Sequence, residues 1–258
     1  LDLNFAKYTQ RPVTLKYLEI KNDFTSPILS ATNSPTLGVF ATEAGFETVI
    51  RAIAERDNLN SQVIIPVKLG KFIDNYSLAT LSNFDGLYLY DYSAKNFDKA
   101  FKTLTEYLGG GKKVFVETGV EVKHSQGALP ELFPSKKVER KGLGKNWDFE
   151  VRDQNFTKDI DFSKFAPPIF DETEWKLSFA ETPDLRSGAN LVLKNHDKVV
   201  LASQKIGQGE LIWSGLNLAY HLVRYHNLEE AKFFKNILAN TVNLTKKPTP
   251  EYSVNFVN

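Results

Sequence analysis

The stretch FDGLYLYD at residues 84–91, followed by KNFDKAFKTLTEYL at 95–108, GGG at 109–111 and KKVFVETG at 112–119, decides the fold of this chain. Two apolar runs of strand length flank a segment in which apolar residues recur at helical spacing. A strand, a helix and a second strand in this order predict the βαβ unit of a parallel sheet. Ligands of such sheets bind beyond the carboxyl ends of the strands, so the residues after Val116 are the first place to look for a site.

Segments on the amino-terminal side extend this pattern. TLGVFA at 36–41 and QVIIPV at 62–67 have the length and apolar character of buried strands. Between them, apolar residues at 44–53 recur at helical spacing after Thr42, a residue that can cap a helix. This alternation predicts an α/β fold, namely a flavodoxin-like or Rossmann-like three-layer sandwich with a mainly parallel central sheet.

The carboxyl-terminal half has a different character. Residues 120–170 are mixed and rich in Lys, Gly and Pro, and we expect 120–175 to be an irregular insertion with short antiparallel strands at 138–141 and 147–151. Farther on, apolar runs separated by turns predict an antiparallel β-meander that extends the sheet. Its four strands are WKLSF at 175–179, ANLVL at 189–193, VVLAS at 199–203 and ELIWS at 210–214. A final helix begins near Leu228, with Asn227 as its cap and Glu230 three residues later, as in a capping box.

The two ends of the chain predict a fragment of a larger protein. The sequence contains no Met, and Leu1 occupies the first position. Residues 1–35, with an alternating run at 13–20, are expected to form a β extension or the remnant of a neighbouring domain. Residues 36–245 form the predicted α/β domain, and 246–258 read as a linker or strand. We therefore expect the rest of a larger parent chain to be a partner of this segment.

The composition excludes several classes of function. The net charge of +1 argues against a dedicated nucleic-acid surface, which needs a basic excess on one face. The chain has no Cys, which excludes disulfides, thiolate metal sites and cysteine nucleophiles. No run of about 18 apolar residues is present, so we expect a soluble domain without direct membrane insertion. The glycines at 109–111 follow a helix and precede a strand, the reverse of a phosphate-binding loop, and no cofactor is expected.

Polar side chains at strand ends are the candidates for a site. Glu117 and Thr118 end the second strand of the opening unit, and Asp91 and Tyr92 end the first. Because parallel strands end at the same edge, Asp91 and Glu117 should lie near each other, as an acid/base pair or a cation site. Thr118 and Tyr92 would then contact a ligand. The plainer interpretation is a polar strand end at Glu117 and a solvated loop at Asp91.

Histidine-based chemistry has little support in the sequence. His124 and Ser125 are adjacent and cannot orient each other as a hydrolase triad requires, and no Gly-x-Ser-x-Gly is present. His221 and His226 are five residues apart, off the i, i+4 spacing of helical metal ligands, so no metal site is predicted. Asn217 and His221 are candidates for ligand contact after the meander, against the alternative that His221 packs on the sheet.

Four segments together resemble the class I glutamine amidotransferase-like fold. They are DGLYL at 85–89, GGGKKVFV at 109–116, LPELFP at 129–134 and KIGQGELIWSGLN at 205–217. Over residues 36–243 the chain is similar to amidotransferase-like domains of large bacterial surface and membrane proteins, and to the non-catalytic middle domain of some β-galactosidases. Active members of the family carry a Cys in a tight elbow after a strand, and a late His and acidic residue. Here the elbow VETGV at 116–120 has no Cys, and no late His-x-Glu follows a strand.

Function is left with three hypotheses. The resemblance without its nucleophile implies a non-catalytic binding or scaffolding domain, extracytoplasmic and part of a surface-exposed or membrane-anchored bacterial protein, with a carbohydrate or protein ligand. The alternative is a hydrolase that acts on carbohydrate-like substrates through Asp91 and Glu117. The third is an interaction domain that presents Trp147 and Trp175 to a partner.

Overall fold

A computed structural model describes residues 18–19, 34–57, 59, 62–117 and 129–242. Its strands are β1 (Leu18–Glu19), β2 (Thr36–Phe40), β3 (Ile65–Gly70), β4 (Gly86–Tyr90), β5 (Lys113–Glu117), β6 (Glu139–Gly142), β7 (Phe149–Val151), β8 (Ile169–Phe170), β9 (Thr173–Glu174), β10 (Lys176–Phe179), β11 (Ala189–Asn195), β12 (Lys198–Ile206) and β13 (Gly209–Ser214). Its α-helices are α1 (Glu43–Asp57), α2 (Leu78–Leu81), α3 (Phe97–Gly109), α4 (Gln154–Thr157), α5 (Leu218–Tyr225) and α6 (Leu228–Thr241). Short 3₁₀ turns lie at Ile73–Asn75, Phe162–Lys164 and Thr182–Asp184.

The central sheet has the strand order β1-β3-β2-β4-β5-β13-β12-β11-β7. Pairing is parallel from β1 to β13 and antiparallel from β13 to β7. The parallel part β3-β2-β4-β5-β13 has the 2-1-3-4-5 order of flavodoxin-like folds. The prediction of a mainly parallel sheet with an antiparallel extension is therefore confirmed.

Two hydrophobic clusters cover the two faces of the sheet. Alternation along β4 sends Tyr88 and Tyr90 to the face that carries α1, α5 and α6. Leu87 and Leu89 point to the opposite face, where α3 packs. Because β2, β4, β5, β12 and β13 each contribute to both clusters, the result is a three-layer sandwich with the sheet in the middle.

The unit that decides the fold forms as predicted. β4, α3 and β5 follow one another, and β4 pairs with β5 in parallel. Asn96 caps α3, since its side-chain oxygen accepts a hydrogen bond from the Lys99 amide at 2.9 Å. Asn227 caps α6 in the same way through the amides of Glu229 and Glu230.

One strand of the predicted meander lies elsewhere. Residues 176–179 form β10, which pairs with β6 in a separate two-stranded sheet. Both edges of β12 are occupied, by β11 and β13, and β7 pairs with the end of β11 at residues 193–195. An isolated bridge between Ala180 and Val199 connects it to the large sheet. In its described part, the insertion at 120–175 contains β6 and β7, which overlap the short strands expected at 138–141 and 147–151. It also contains α4 and the hairpin β8–β9, which the expectation of an irregular stretch did not include.

The predicted strand at 13–20 contributes residues 18–19, which pair with β3 in parallel as β1. The other residues of that run and the tail at 243–258 lie outside the described residues. The domain limits at 35 and 245 stay predictions.

The turn that leads into β13 brings Gly209 against the backbone of the opening unit. A Cβ at Gly209 would lie 2.1 Å from the Lys112 carbonyl oxygen and 2.3 Å from that of Leu108. These oxygens cannot move without disturbing α3 and β5, so we expect Gly209→Ala to lower the free energy of unfolding by ~3 kcal/mol. Urea denaturation checks this, with Gly109→Ala as the control because a Cβ there has nothing within 4 Å. Equal stability of the two variants would contradict the contact.

Candidate functional site

The carboxyl ends of β2, β4, β5 and β13 lie at one edge of the sheet. The chain leaves β2 toward β3 on one side and leaves β4 toward β5 on the other, so the strand order reverses between β2 and β4. Such a switch point is where open α/β sheets bind their ligands. Two groups of polar side chains lie along this edge, one at the switch point and one at the end of β5.

Thr42 and Asp91 meet at the switch point. The Thr42 hydroxyl donates a hydrogen bond to Asp91 Oδ2, and its oxygen accepts one from the Gly45 amide at 3.2 Å, which caps α1 as predicted. Asp91 is half-buried and has a φ of 52°, in the left-handed region that Asp adopts more readily than most residues. The pair therefore joins the ends of β2 and β4 and fixes the first turn of α1.

Glu117 ends β5 and is buried, with 3% of its surface exposed. Its Oε1 accepts hydrogen bonds from the Leu218 amide at 2.6 Å and the Ser214 hydroxyl at 3.4 Å. Its Oε2 accepts from the Tyr88 hydroxyl at 2.7 Å and the Ala219 amide at 3.2 Å. Burial raises the pKa of Glu117, although these four donors oppose the rise. The carboxylate therefore caps the amino terminus of α5 from a neighbouring strand.

Asn217 stands at the start of α5 with a left-handed φ of 51°, and its own side chain does not cap the helix. Its side-chain oxygen accepts a hydrogen bond from the Tyr90 hydroxyl at 2.9 Å. Tyr88 and Tyr90 lie on one face of β4. Their hydroxyl groups donate to Glu117 and to Asn217, the two residues that lie at the start of α5. Burial and the nearby Glu117 carboxylate raise the pKa of Tyr88 well above its usual value, so its hydroxyl stays a donor.

The structure places Asp91 and Glu117 at one edge, as the sequence predicts, because Tyr90 lies opposite Glu117 in the register of β4 and β5. It gives them different partners, since Asp91 bonds to Thr42 and Glu117 to α5. Catalysis by the two carboxylates stays a prediction. Tyr92, the other candidate at the end of β4, is buried against the α3 face of the sheet.

Other residues singled out in the sequence divide into two groups. Thr118, His124 and Ser125 lie outside the described residues. His221 is described and is only 2% exposed, packed against the rings of Trp147 and Trp175. A ligand contact at His221 stays a prediction.

The tryptophans of the interaction hypothesis are partly withdrawn from the surface. Trp175 is 6% exposed, and Trp147 is half-buried, with its indole N–H bonded to the Ala166 carbonyl at 2.5 Å. In this structure neither tryptophan exposes a full ring face that a partner could contact.

Sequence reasoning missed the side-chain partners of Glu117 and Asp91, which are Tyr88 and Ser214 for Glu117 and Thr42 for Asp91. One signal was available for Tyr88. A tyrosine inside an apolar strand must bring its hydroxyl to a partner, and Glu117 is the polar residue at the end of the adjacent strand. Thr42 was recognised only as a helix cap.

The part of the chain that the structure describes has neither a cluster of metal-ligating side chains nor a helix that could span a membrane. No group of three or more His, Asp or Glu side chains there could hold a metal ion. None of the helices described is both long and apolar enough to cross a membrane.

Comparison with known proteins gives structural relatives only. No family model and no curated protein matches this chain. A cytoplasmic protein from Salmonella typhimurium superposes with a TM-score of 0.54 at 12% identity, over 79% of this chain and 97% of that one. A ThuA-like protein from Bacteroides uniformis has a TM-score of 0.52 at 12% identity, over 83% and 95%. An exo-β-1,4-mannosidase from an Opitutaceae bacterium has a TM-score of 0.50 at 10% identity, over 82% of this chain but 36% of that one.

At such low identity these likenesses show the fold alone. ThuA-like proteins have a class I glutamine amidotransferase-like fold, and the chain shares it, as the resemblance of its segments predicts. The likeness to the mannosidase concerns about a third of that enzyme's chain. The fold is therefore established, whereas function has to be argued from the site.

Proposed function

We propose that this chain is a non-catalytic amidotransferase-like domain that serves as a binding or scaffolding module of a larger bacterial protein. In this proposal residues 36–245 are the domain, and the flanking segments 1–35 and 246–258 connect it to the parent chain. The ligand is a carbohydrate or another protein, which the domain binds without changing it chemically.

The proposal depends on one observation, namely that the buried carboxylate of Glu117 is bonded to groups of the protein itself. The position at the end of β5 is where a catalytic group would be expected, and the carboxylate there is 3% exposed. Four donors of the protein itself occupy its two oxygens. A general base must reach a substrate proton at hydrogen-bond distance, which this arrangement does not allow without breaking the cap of α5. The absence of Cys removes the nucleophile of active amidotransferases.

The alternative is a hydrolase that uses Asp91 and Glu117 on carbohydrate-like substrates. Its support is that both carboxylates lie at one edge of the sheet and that Asp91 is half-buried at the switch point. Paired carboxylates need a gap of about 5–10 Å that opens on the substrate. The engagement of Glu117 by α5 favours the non-catalytic proposal over this one.

Enzyme assays separate the two. We expect no ammonia release from glutamine and no p-nitrophenol release from a panel of p-nitrophenyl glycosides, at any pH from about 4 to about 9. Turnover that Asp91→Asn and Glu117→Gln each abolish, in variants whose circular dichroism is unchanged, would contradict the proposal and establish the hydrolase. Asp91→Asn is the safer variant because its partner Thr42 can bond to an amide oxygen.

The proposal also places the domain at the cell surface, on the strength of the resemblance to domains of surface and membrane proteins. Protease added to intact cells that produce the parent protein should degrade the domain. Complete protection, with degradation only after lysis, would contradict this location.

A further inference from the structure

Phe170 and Tyr220 form an aromatic surface beside the start of α5. They are two of the six large apolar side chains that are exposed in the described part of the chain, at 37% and 36%. The ring of Trp175, which is 6% exposed, contacts both. Its centroid lies 6.3 Å from that of Phe170 and 5.4 Å from that of Tyr220. The buried indole therefore joins the two exposed rings into one surface, the aromatic patch.

Two contacts hold the hairpin β8–β9, which carries Phe170, against α5. The Tyr225 hydroxyl donates a hydrogen bond to the Ile169 carbonyl. The guanidinium group of Arg224 lies over the Phe170 ring, 5.4 Å from its centroid. Arg224 follows Tyr220 by four residues, so both lie on one face of α5. The two exposed rings are therefore fixed relative to each other before a partner arrives, which lowers the entropy cost of binding.

The turn of this hairpin carries side chains that its backbone disfavours. Asp171 and Glu172 connect β8 to β9, and both have left-handed φ values, of 46° and 65°. A two-residue turn of this kind favours Gly at its second position, so a glutamate there is strained. Both side chains are exposed, and packing in a core does not explain them. A residue that breaks the local rule without a packing reason is a candidate for a functional role.

The acidic residues of the hairpin leave one carboxylate for a partner. Asp171 pairs with Arg224 at 3.2 Å, and Glu174 accepts a hydrogen bond from the Gly144 amide. Among the residues that the structure describes, no group forms a hydrogen bond or an ion pair with the carboxylate of Glu172. Glu172 therefore presents an uncompensated negative charge two residues after Phe170.

We propose that the aromatic patch and Glu172 bind a short segment of a partner protein in which an apolar side chain lies next to a lysine or an arginine. The inference rests on the proposed function, because it names the ligand of the binding module as a protein. Centres of protein interfaces are enriched in Tyr, Trp, Phe and Arg and are surrounded by polar groups, which is the composition of this surface. The apolar side chain packs on Phe170 and Tyr220, and the cation pairs with Glu172.

The shape of the patch favours a protein segment over a carbohydrate. The rings of Phe170 and Tyr220 are inclined to that of Trp175 by 87° and 60°. Rings at such angles do not form the flat platform on which the faces of successive sugar rings stack. An aliphatic or aromatic side chain of a protein contacts ring edges as well as ring faces, so it fits between inclined rings.

Selection from a phage library of random peptides tests the proposal, with the natural chain and Tyr220→Ala as parallel baits. The natural chain should select peptides that combine an apolar residue with Lys or Arg. The selected peptides are then synthesised with a fluorescent label, and their affinity is measured by anisotropy. Tyr220→Ala and Phe170→Ala should each weaken binding at least about tenfold. Phe97→Ala is the matched control, because Phe97 is also 36% exposed but belongs to α3 on the opposite side of the sheet, and it should leave binding unchanged.

Glu172→Gly separates a role in binding from a role in the structure. Glycine suits a φ of 65°, so the Tm should not fall. The affinity for the selected peptides should nevertheless fall at least about fivefold, and higher salt should weaken their binding to the natural chain. A variant that binds these peptides as tightly as the natural chain does would overturn the proposal.

The remaining outcomes also decide. Absence of any selected peptide, or peptides that bind the natural chain and Tyr220→Ala equally, would overturn the proposal. Retardation of the natural chain but not of Tyr220→Ala in gels that contain soluble xylan or galactomannan would assign the patch to carbohydrate and overturn it as well. Each of these failures leaves the non-catalytic function standing, because only turnover in the enzyme assays contradicts that.

Discussion

Replacement of Glu117 by Ala is expected to lower the free energy of unfolding by ~3–5 kcal/mol, because it removes the acceptor for several buried donors at once. The amides of Leu218 and Ala219 and the hydroxyl of Tyr88 would be left without a partner inside the protein. The carboxylate also interacts favourably with the dipole of α5, and that contribution is lost with it. Urea denaturation monitored by circular dichroism measures the effect.

Two comparisons identify the cause of that loss. Tyr88→Phe removes one of the four donors and leaves the carboxylate in place, so we expect a smaller loss of ~1 kcal/mol. Glu106→Ala changes an exposed glutamate of α3 and should alter stability by less than about 0.5 kcal/mol. If Glu117→Ala were as stable as Glu106→Ala, Glu117 would not hold α5, and its carboxylate would be free for another role.

The second large effect is expected for Glu230→Ala, which should also cost ~3–5 kcal/mol in the free energy of unfolding. The change leaves the ring of His221 and the amide of Ala166 without their acceptor, and both are packed away from solvent. The contacts of the segment around 160–170 with α6 should loosen first. Thermal unfolding at neutral pH measures the loss.

A neighbouring carboxylate provides the control for Glu230. Glu229 is 7% exposed and bonds to the Asp161 amide and to Lys232, and Lys232 is itself part-exposed. Water can reach the groups that Glu229→Ala leaves behind, so its expected cost is ~1 kcal/mol. Equal losses for the two variants would mean that the His221 contact adds nothing to stability.

The fold could be predicted from the sequence because its determinants are local. Strand-length apolar runs and helical spacing define β4, α3 and β5 within 36 residues, and Asn96 and Asn227 mark helix starts by their own side chains. The failed prediction concerns pairing between segments that are distant in the sequence. The run at 176–179 has the pattern of a meander strand, but it pairs with β6 in a separate sheet.

The site was less accessible to sequence reasoning, because its contacts join distant residues. Glu117 caps a helix that begins 101 residues later, and nothing near Leu218 in the sequence announces a missing cap. The βαβ unit predicts that Glu117 lies at the sheet edge. The partners to which its side chain points are known only from the tertiary structure.

Glu230 is a second residue whose partners could not be predicted from the sequence. Its spacing from Asn227 predicts a side chain that returns to the helix start, as in a capping box. In the structure it bonds to His221 and to the Ala166 amide instead. A buried histidine and an amide with no other acceptor are stronger partners than a helix end that Asn227 already serves.

The most direct test of the central claim is urea denaturation of Glu117→Gln beside Glu106→Gln. A glutamine at 117 keeps the size of the side chain but directs an N–H₂ group at donors that now bond to a carboxylate. A structural carboxylate predicts a loss of ~2 kcal/mol for Glu117→Gln and none for Glu106→Gln. Unchanged stability in Glu117→Gln, together with loss of a measurable hydrolytic activity of the natural protein, would contradict the account.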